Sequence, residues 1–259
     1  MLNQLLSELR HLISLHIQTD EGCHIEINTT KDFPYHNTLQ SLTLHGTWPR
    51  GNDISEFPIY LTKIELRDSE LKEDPMPKLE RLQYLVTLKF FASVYFGKTM
   101  VCSAGGFPML ESLFITNWYH DKKGRFGVHM WEAMPNLEEW SIEEGAMPKL
   151  TFLRLTSCEK LKMLPDFHHV TSLQKLELYG MSKELIRRTR REDLHKIRHV
   201  PKICRCTRTG PLKTGRRYDT DEGELLDAGE GISTVEKGDE EVRAEDKADN
   251  QEVRAEEED

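Results

Sequence analysis

The apolar positions of this chain follow neither a helical nor a strand period. In EEGAMPKLTFLRLTSCEKLKMLPD (143–166) they fall at Leu150, Leu153, Leu155, Cys158, Leu161 and Leu164, in steps of 3, 2, 3, 3 and 3. An amphipathic helix steps by 3 and 4, and a half-buried strand by 2 throughout. The single step of 2 marks a short strand whose alternate side chains face one way. The steps of 3 mark chain winding round a narrow axis, with each apolar side chain pointing inward.

The pattern recurs along the chain. The first residue of an L-x-L core falls at Leu15, Leu42, Ile64, Leu88, Leu113, Leu153 and Leu176, at intervals of 27, 22, 24, 25, 40 and 23 residues. Five of these intervals lie in the range of about 20–29 residues that leucine-rich repeats occupy. One coil cannot bury its own leucines, but stacked coils can, and their short strands then pair into a parallel sheet. The predicted fold class is therefore α/β: a leucine-rich-repeat solenoid of about seven coils, with a curved parallel sheet on the concave face and an irregular or helical convex side. In the interval of 40, EEWSIEEGA is expected to cross the convex back. Residues 117–132 are expected to form an inserted loop carrying Trp118, Tyr119, Phe126 and Trp131.

Charge divides the chain further. The net charge of −9 is unevenly spread: residues 219–259 hold 18 acidic and 4 basic side chains, and residues 183–217 hold 13 basic and 3 acidic. The predicted organisation is a solenoid over 1–181, then a cap helix (about Ser182–Lys196) with a basic, solvated segment to 206. An acidic tail over 207–259 follows, in which EVRAE occurs at 241–245 and 252–256. So charged a tail buries too little apolar surface to offset chain entropy and is expected to be disordered. Five cysteines, an odd number with only Cys204 and Cys206 close in sequence, do not make a disulfide framework and point to a reducing compartment. The N-terminal run MLNQLLSELRHLISLHI lacks the features of a signal peptide, and no stretch approaches the length of a membrane-spanning helix.

Several short constellations carry a chemical reading. Phe96-Gly97-Lys98-Thr99 ends like a phosphate loop, but Ala92 stands where the motif needs its first glycine, and VCSAGGFP rather than a helical pattern follows. His195, His199, Cys204 and Cys206 are metal-ligand types, but at a spacing that would strain a tetrahedral site. His168-His169 reads as a solvated turn. Cys158 occupies the repeat's Asn/Cys slot, where a small side chain fills the corner and can bond the neighbouring coil's backbone. No base for a catalytic thiol is indicated. The arginines of 187–191 and 205–217 would attract phosphates, yet no aromatic interleaving or nucleic-acid-binding fold accompanies them, so a nucleic-acid partner is not expected.

The strings MVCSAGGFPMLESL (100–113), NLEEWSIEEGAMPKLTFLRLTSCEKLKMLPD (136–166) and LHKIRHVPKI (194–203) closely resemble the C-terminal leucine-rich-repeat region of plant intracellular disease-resistance proteins. The subclass is the coiled-coil, nucleotide-binding, leucine-rich-repeat receptors. The resemblance implies a cytoplasmic, non-enzymatic immune module. Its implied partners are a pathogen effector, a guarded host protein, or the nucleotide-binding module of a receptor that it holds inactive. That module, which binds ADP or ATP in the family, is expected to be missing here, so no cofactor is expected on this chain. With its first coil uncapped, the isolated chain is expected to be poorly soluble. The alternative function is a general leucine-rich-repeat scaffold or adaptor unrelated to defence.

In L-x-L the central side chain points to the concave face. This places His16, Thr43, Glu65, Lys89, Phe114, Arg154 and Glu177 in one set, flanked by His45, Arg67, Phe91, Phe152 and Tyr179. Aromatic and arginine side chains dominate binding hot spots, so Phe91, Phe114, Phe152, Arg154 and Tyr179 are the leading protein-binding candidates.

Overall fold

The structure is a computed structural model; it describes residues 11–19, 38–47, 57–120, 126–128 and 134–206. The predicted acidic tail (207–259) and Trp131 lie outside the described residues.

Each L-x-L core is a five-residue strand: β1 (Ser14–Gln18), β2 (Ser41–His45), β3 (Lys63–Arg67), β4 (Thr87–Phe91), β6 (Ser112–Thr116), β10 (Phe152–Thr156) and β11 (Lys175–Tyr179). Shorter strands lie between them: β5 (Thr99–Cys102), β7 (Trp118–His120), β8 (Phe126–Val128) and β9 (Glu139–Ile142). The main sheet runs β1-β2-β3-β4-β6-β10-β11-β12, all parallel, so it contains an eighth strand, β12 (Lys202–Cys206). The solvated segment expected before residue 206 is therefore corrected at its end, where the chain adds one more rung. The cap helix is present as α2 (Lys183–Arg191), followed by a 3-10 turn at Leu194–Lys196. Ser182 caps α2, its Oγ accepting from the Leu185 N–H at 3.1 Å.

The pairing is in unbroken register. The first core positions, Leu15, Leu42, Ile64, Leu88, Leu113, Leu153, Leu176 and Ile203, form one row across the sheet. From β2 to β11 both core positions of every strand are fully buried. Burial of each such side chain is worth about 1.5–3 kcal/mol, so the stacked rows dominate the stability of the solenoid.

Two local devices turn the chain round the coil. Ahead of the strands, an apolar residue, a proline and a leucine recur as Met76-Pro77-Lys78-Leu79 (the short helix α1), Phe107-Pro108-Met109-Leu110 and Met147-Pro148-Lys149-Leu150. The first and fourth members are buried, and in the latter two the leucine N–H donates back to the first member's carbonyl, leaving proline where no donor is needed. Directly after the strands, Gly46, Asp68, Ala92, Ser157 and Gly180 all have positive φ, which swings the chain out of the sheet. β6 lacks this corner. Asn117 follows it, and the chain runs on into the antiparallel pair β7–β8, which places part of the expected insertion.

A second, two-stranded sheet is separate from the first. β5 pairs in parallel with β9, which carries the EWSI of the segment expected on the back of the coils. Trp140 is buried there, donating its Nε1–H to Cys102 Sγ at 3.4 Å and meeting Phe167 edge-on at 6.1 Å. Burial pushes the Cys102 thiol up. The other edge of β5 is closed by carboxylates: Asp74 accepts from the Val101 N–H at 2.7 Å, and Glu80 from the Ser103 N–H at 2.8 Å. These side chains do the work of a missing strand, leaving those backbone donors satisfied.

Candidate recognition surface

Alternation along each strand sends one set of side chains inward and the other to the opposite side of the sheet. The outward central positions His16, Thr43, Glu65, Lys89, Phe114, Arg154 and Glu177 are aligned strand to strand, ending at Cys204. Thus the predicted set does form one line. Most of its members are half-buried, while His16 is exposed.

Phe114, Phe152 and Arg154 come together. The two rings lie 5.0 Å apart, tilted by 43°. The Arg154 guanidinium is 5.6 Å from each ring centre, Lys89 Nζ is 5.1 Å from Phe114, and Lys175 Nζ is 5.4 Å from Phe152. Cations at such distances are attracted to the negative face of an aromatic ring. Phe91 stands apart from this group and instead lies under Arg67, at 5.0 Å. Tyr179 lies in the flanking row, beside Thr156 of β10. Of the five leading candidates, Phe114, Phe152 and Arg154 thus form one cluster.

Glu177 corrects the expectation of an open binding position. Its side chain is only 4% exposed, accepting from Arg154 Nε at 2.6 Å and pairing with Lys175 Nζ at 2.7 Å. It orients the two cations that flank Phe152 rather than offering itself to a partner. At the other end, Glu65 pairs with Arg67 at 3.4 Å, and His45 Nε2 meets Asp68 at 2.8 Å.

Lys63, Lys175 and Lys202, absent from the candidate set, complete the surface. They occupy the outward position two residues before the central one, a parity visible in the sequence. From β2 to β12 the outward positions carry six cations (Lys63, Arg67, Lys89, Arg154, Lys175, Lys202) and two carboxylates (Glu65, Glu177). Burial, together with the like charges of Lys63 and Arg154, lowers the Lys89 pKa, while Glu65 partly opposes the shift. The cations of this surface thus work against one another.

The other constellations resolve into structural roles. Gly97 lies beneath Tyr95, whose hydroxyl donates to the Thr99 carbonyl at 2.6 Å, and the chain continues into β5 rather than a helix. His199 Nε2 is 3.1 Å from the Val170 carbonyl, and His195 Nδ1 is 3.1 Å from the Glu192 carbonyl, so each ring is engaged by backbone. Cys158 is buried, its Sγ 3.8 Å from the carbonyl of Thr156. Among the described residues, no helix is long and apolar enough to cross a membrane.

Comparison with known proteins adds the biological context. No protein-family model matches the chain. Disease resistance RPP8-like protein 3 of Arabidopsis thaliana is 38% identical over 166 residues, covering 64% of this chain and 17% of that protein. Disease resistance protein RPH8A of the same plant is 32% identical over 207 residues, covering 78% of this chain and 21% of that protein. The chain is homologous to a segment of plant disease-resistance proteins. It spans about a fifth of the length of these curated relatives. Among solved structures, an internalin from Listeria monocytogenes aligns over 76% of this chain and 68% of its own at 14% identity and a TM-score of 0.26. The leucine-rich-repeat assignment rests on the coils and their register.

Proposed function

We propose that these repeats are the protein-recognition module of a cytoplasmic plant defence protein, acting by binding rather than catalysis and without a cofactor of their own. The partner would be a pathogen effector, a guarded host protein or a receptor's nucleotide-binding module, and it would present acidic groups. The observation that carries this reading is the Phe114–Phe152 pair held among Lys89, Arg154 and Lys175 on the outer side of a rigid sheet. Aromatic and arginine side chains give large contact area at low entropic cost and recur in binding hot spots. The cation surplus on the same face favours a complementary negative surface. The homology to disease-resistance proteins supplies the defence context.

The test is a pull-down of the chain with the nucleotide-binding module of an RPP8-like relative, repeated with Phe114→Ala and Lys89→Glu. Loss of binding in both variants, with unchanged melting temperatures, supports recognition through this face. Undiminished binding in both removes the face from the interaction.

A further inference from the structure

The cations of the outward face are not equally satisfied. Glu177 holds both Arg154 and Lys175, and Glu65 holds Arg67. Among the described residues no carboxylate is paired with Lys63 or Lys89. These two lysines are neighbours on β3 and β4: Lys63 stands opposite Thr87, two residues before Lys89. Thr87 in turn stands opposite Ser112 of β6. Lys63, Thr87 and Ser112 thus form a short outward row, each half-buried, beside Lys89. Neither the Thr87 nor the Ser112 hydroxyl is engaged in a hydrogen bond among the described residues. Lys89 Nζ lies 5.1 Å from the centre of Phe114, and Phe152 lies against the same ring. A patch of unengaged donors therefore borders the aromatic pair.

We propose that Lys63, Lys89, Thr87 and Ser112 form the acid subsite of the recognition face, taking one Asp or Glu carboxylate of a protein partner whose adjacent apolar side chain rests on Phe114 and Phe152. This rests on the reading of that face as a protein-binding surface and names what the partner presents there. Two ammonium groups and two hydroxyls can donate to a single carboxylate, whose oxygens accept about four hydrogen bonds. Lys89 is half-buried, and burial with the like charge of Lys63 lowers its pKa, so a carboxylate between the two lysines relieves both costs. A lysine kept only for solubility would hold its ammonium in water instead of against a ring. Arg154 and Lys175 share the buried Glu177 already, which leaves them to shape the ground around Phe152. Glu65 stands in register beside Lys89, and its charge disfavours a dianion more than a monoanion. The arginines that would fork a phosphate, Arg67 and Arg154, are turned to carboxylates, so a carboxylate fits this patch better than a phosphate.

The test is selection from a phage-displayed library of random dodecapeptides against the immobilised full chain, followed by isothermal titration of the enriched peptides made synthetically. Enriched peptides are expected to carry Asp or Glu next to an apolar residue. Lys63→Met and Lys89→Met should each weaken them about tenfold, the loss of one charge-assisted contact, as should exchange of the peptide's acid for its amide. Lys160→Met, outside the face, should leave affinity unchanged. Methionine keeps an apolar stem and removes a repelling charge, so the melting temperatures of Lys63→Met and Lys89→Met should hold or rise. Peptides that lose binding with Phe114→Ala but lack an acid, or are indifferent to both lysine variants, overturn the acid subsite and leave the recognition face standing. An equal loss in Lys160→Met overturns the subsite too. Peptides indifferent to Phe114→Ala as well as to the lysine variants, or no enrichment at all, overturn both.

Discussion

The ring of Tyr95 lies directly against Gly97: a methyl group at that α-carbon would stand 2.0 Å from the phenol oxygen and 2.2 Å from the carbon bearing it. Tyr95 cannot simply swing aside, because it is buried and its hydroxyl is tied to the Thr99 carbonyl. Gly97→Ala is therefore expected to destabilise the chain by about 1–3 kcal/mol, the usual range for overpacking. Urea unfolding checks this. In a Tyr95→Ala background the same change should cost much less, since the obstructing ring is gone.

Glu138 bridges coils, accepting from Lys162 Nζ at 2.7 Å and Lys98 Nζ at 3.0 Å. The hydrogen bond from Lys162, followed by that from Lys98, holds its carboxyl down at about 2, against an ordinary 4.5. A depressed carboxylate stabilises the fold above its unfolded pKa, and that contribution is lost as pH falls through the folded one. Melting temperature should therefore fall between about pH 4.5 and pH 2, and Glu138→Gln should flatten that part of the curve. An identical acid profile in the variant would rule out this role.

Ser157 turns the chain out of β10 with φ of 55°, and its buried hydroxyl makes no hydrogen bond among the described residues. Both features cost stability. Ser157→Gly removes both and should stabilise by about 1 kcal/mol, seen as a rise in melting temperature.

Removing the carboxylate of Glu177 leaves Arg154 and Lys175 without the group that orients them. Glu177→Gln is expected to cost about 1–3 kcal/mol, moderated because both cations keep contact with water. Denaturant titration reads the loss. If the recognition face works as proposed, partner affinity should fall as well, because Arg154 is no longer fixed over Phe152.

The main sheet was legible because its signal repeats: a step of 2 within steps of 3, seven times over, identifies strands, inward rows and the outward line from His16 to Glu177. β12 escaped because Arg205 occupies a core position, although Leu194, Ile197, Val200 and Ile203 step by 3 up to it. The β5–β9 pairing depends on long-range contact between Thr99–Cys102 and Glu139–Ile142, two four-residue segments too short to show a period of their own. The burial of Glu177 was hidden for another reason. Outward parity says which side of the sheet a side chain leaves from, but not that cations on two strands will fold over it.

The chain between β6 and β10 is longer than that between β4 and β6, with core positions 40 rather than 25 residues apart, yet Leu88, Leu113 and Leu153 remain in one row. Spatial order in this sheet is thus set by rung number, with contour length free to vary between rungs. The exit from β6 is consequently a natural graft point. A peptide of foreign sequence exchanged for part of the present excursion would be displayed from a fixed scaffold while the rungs on either side keep their partners.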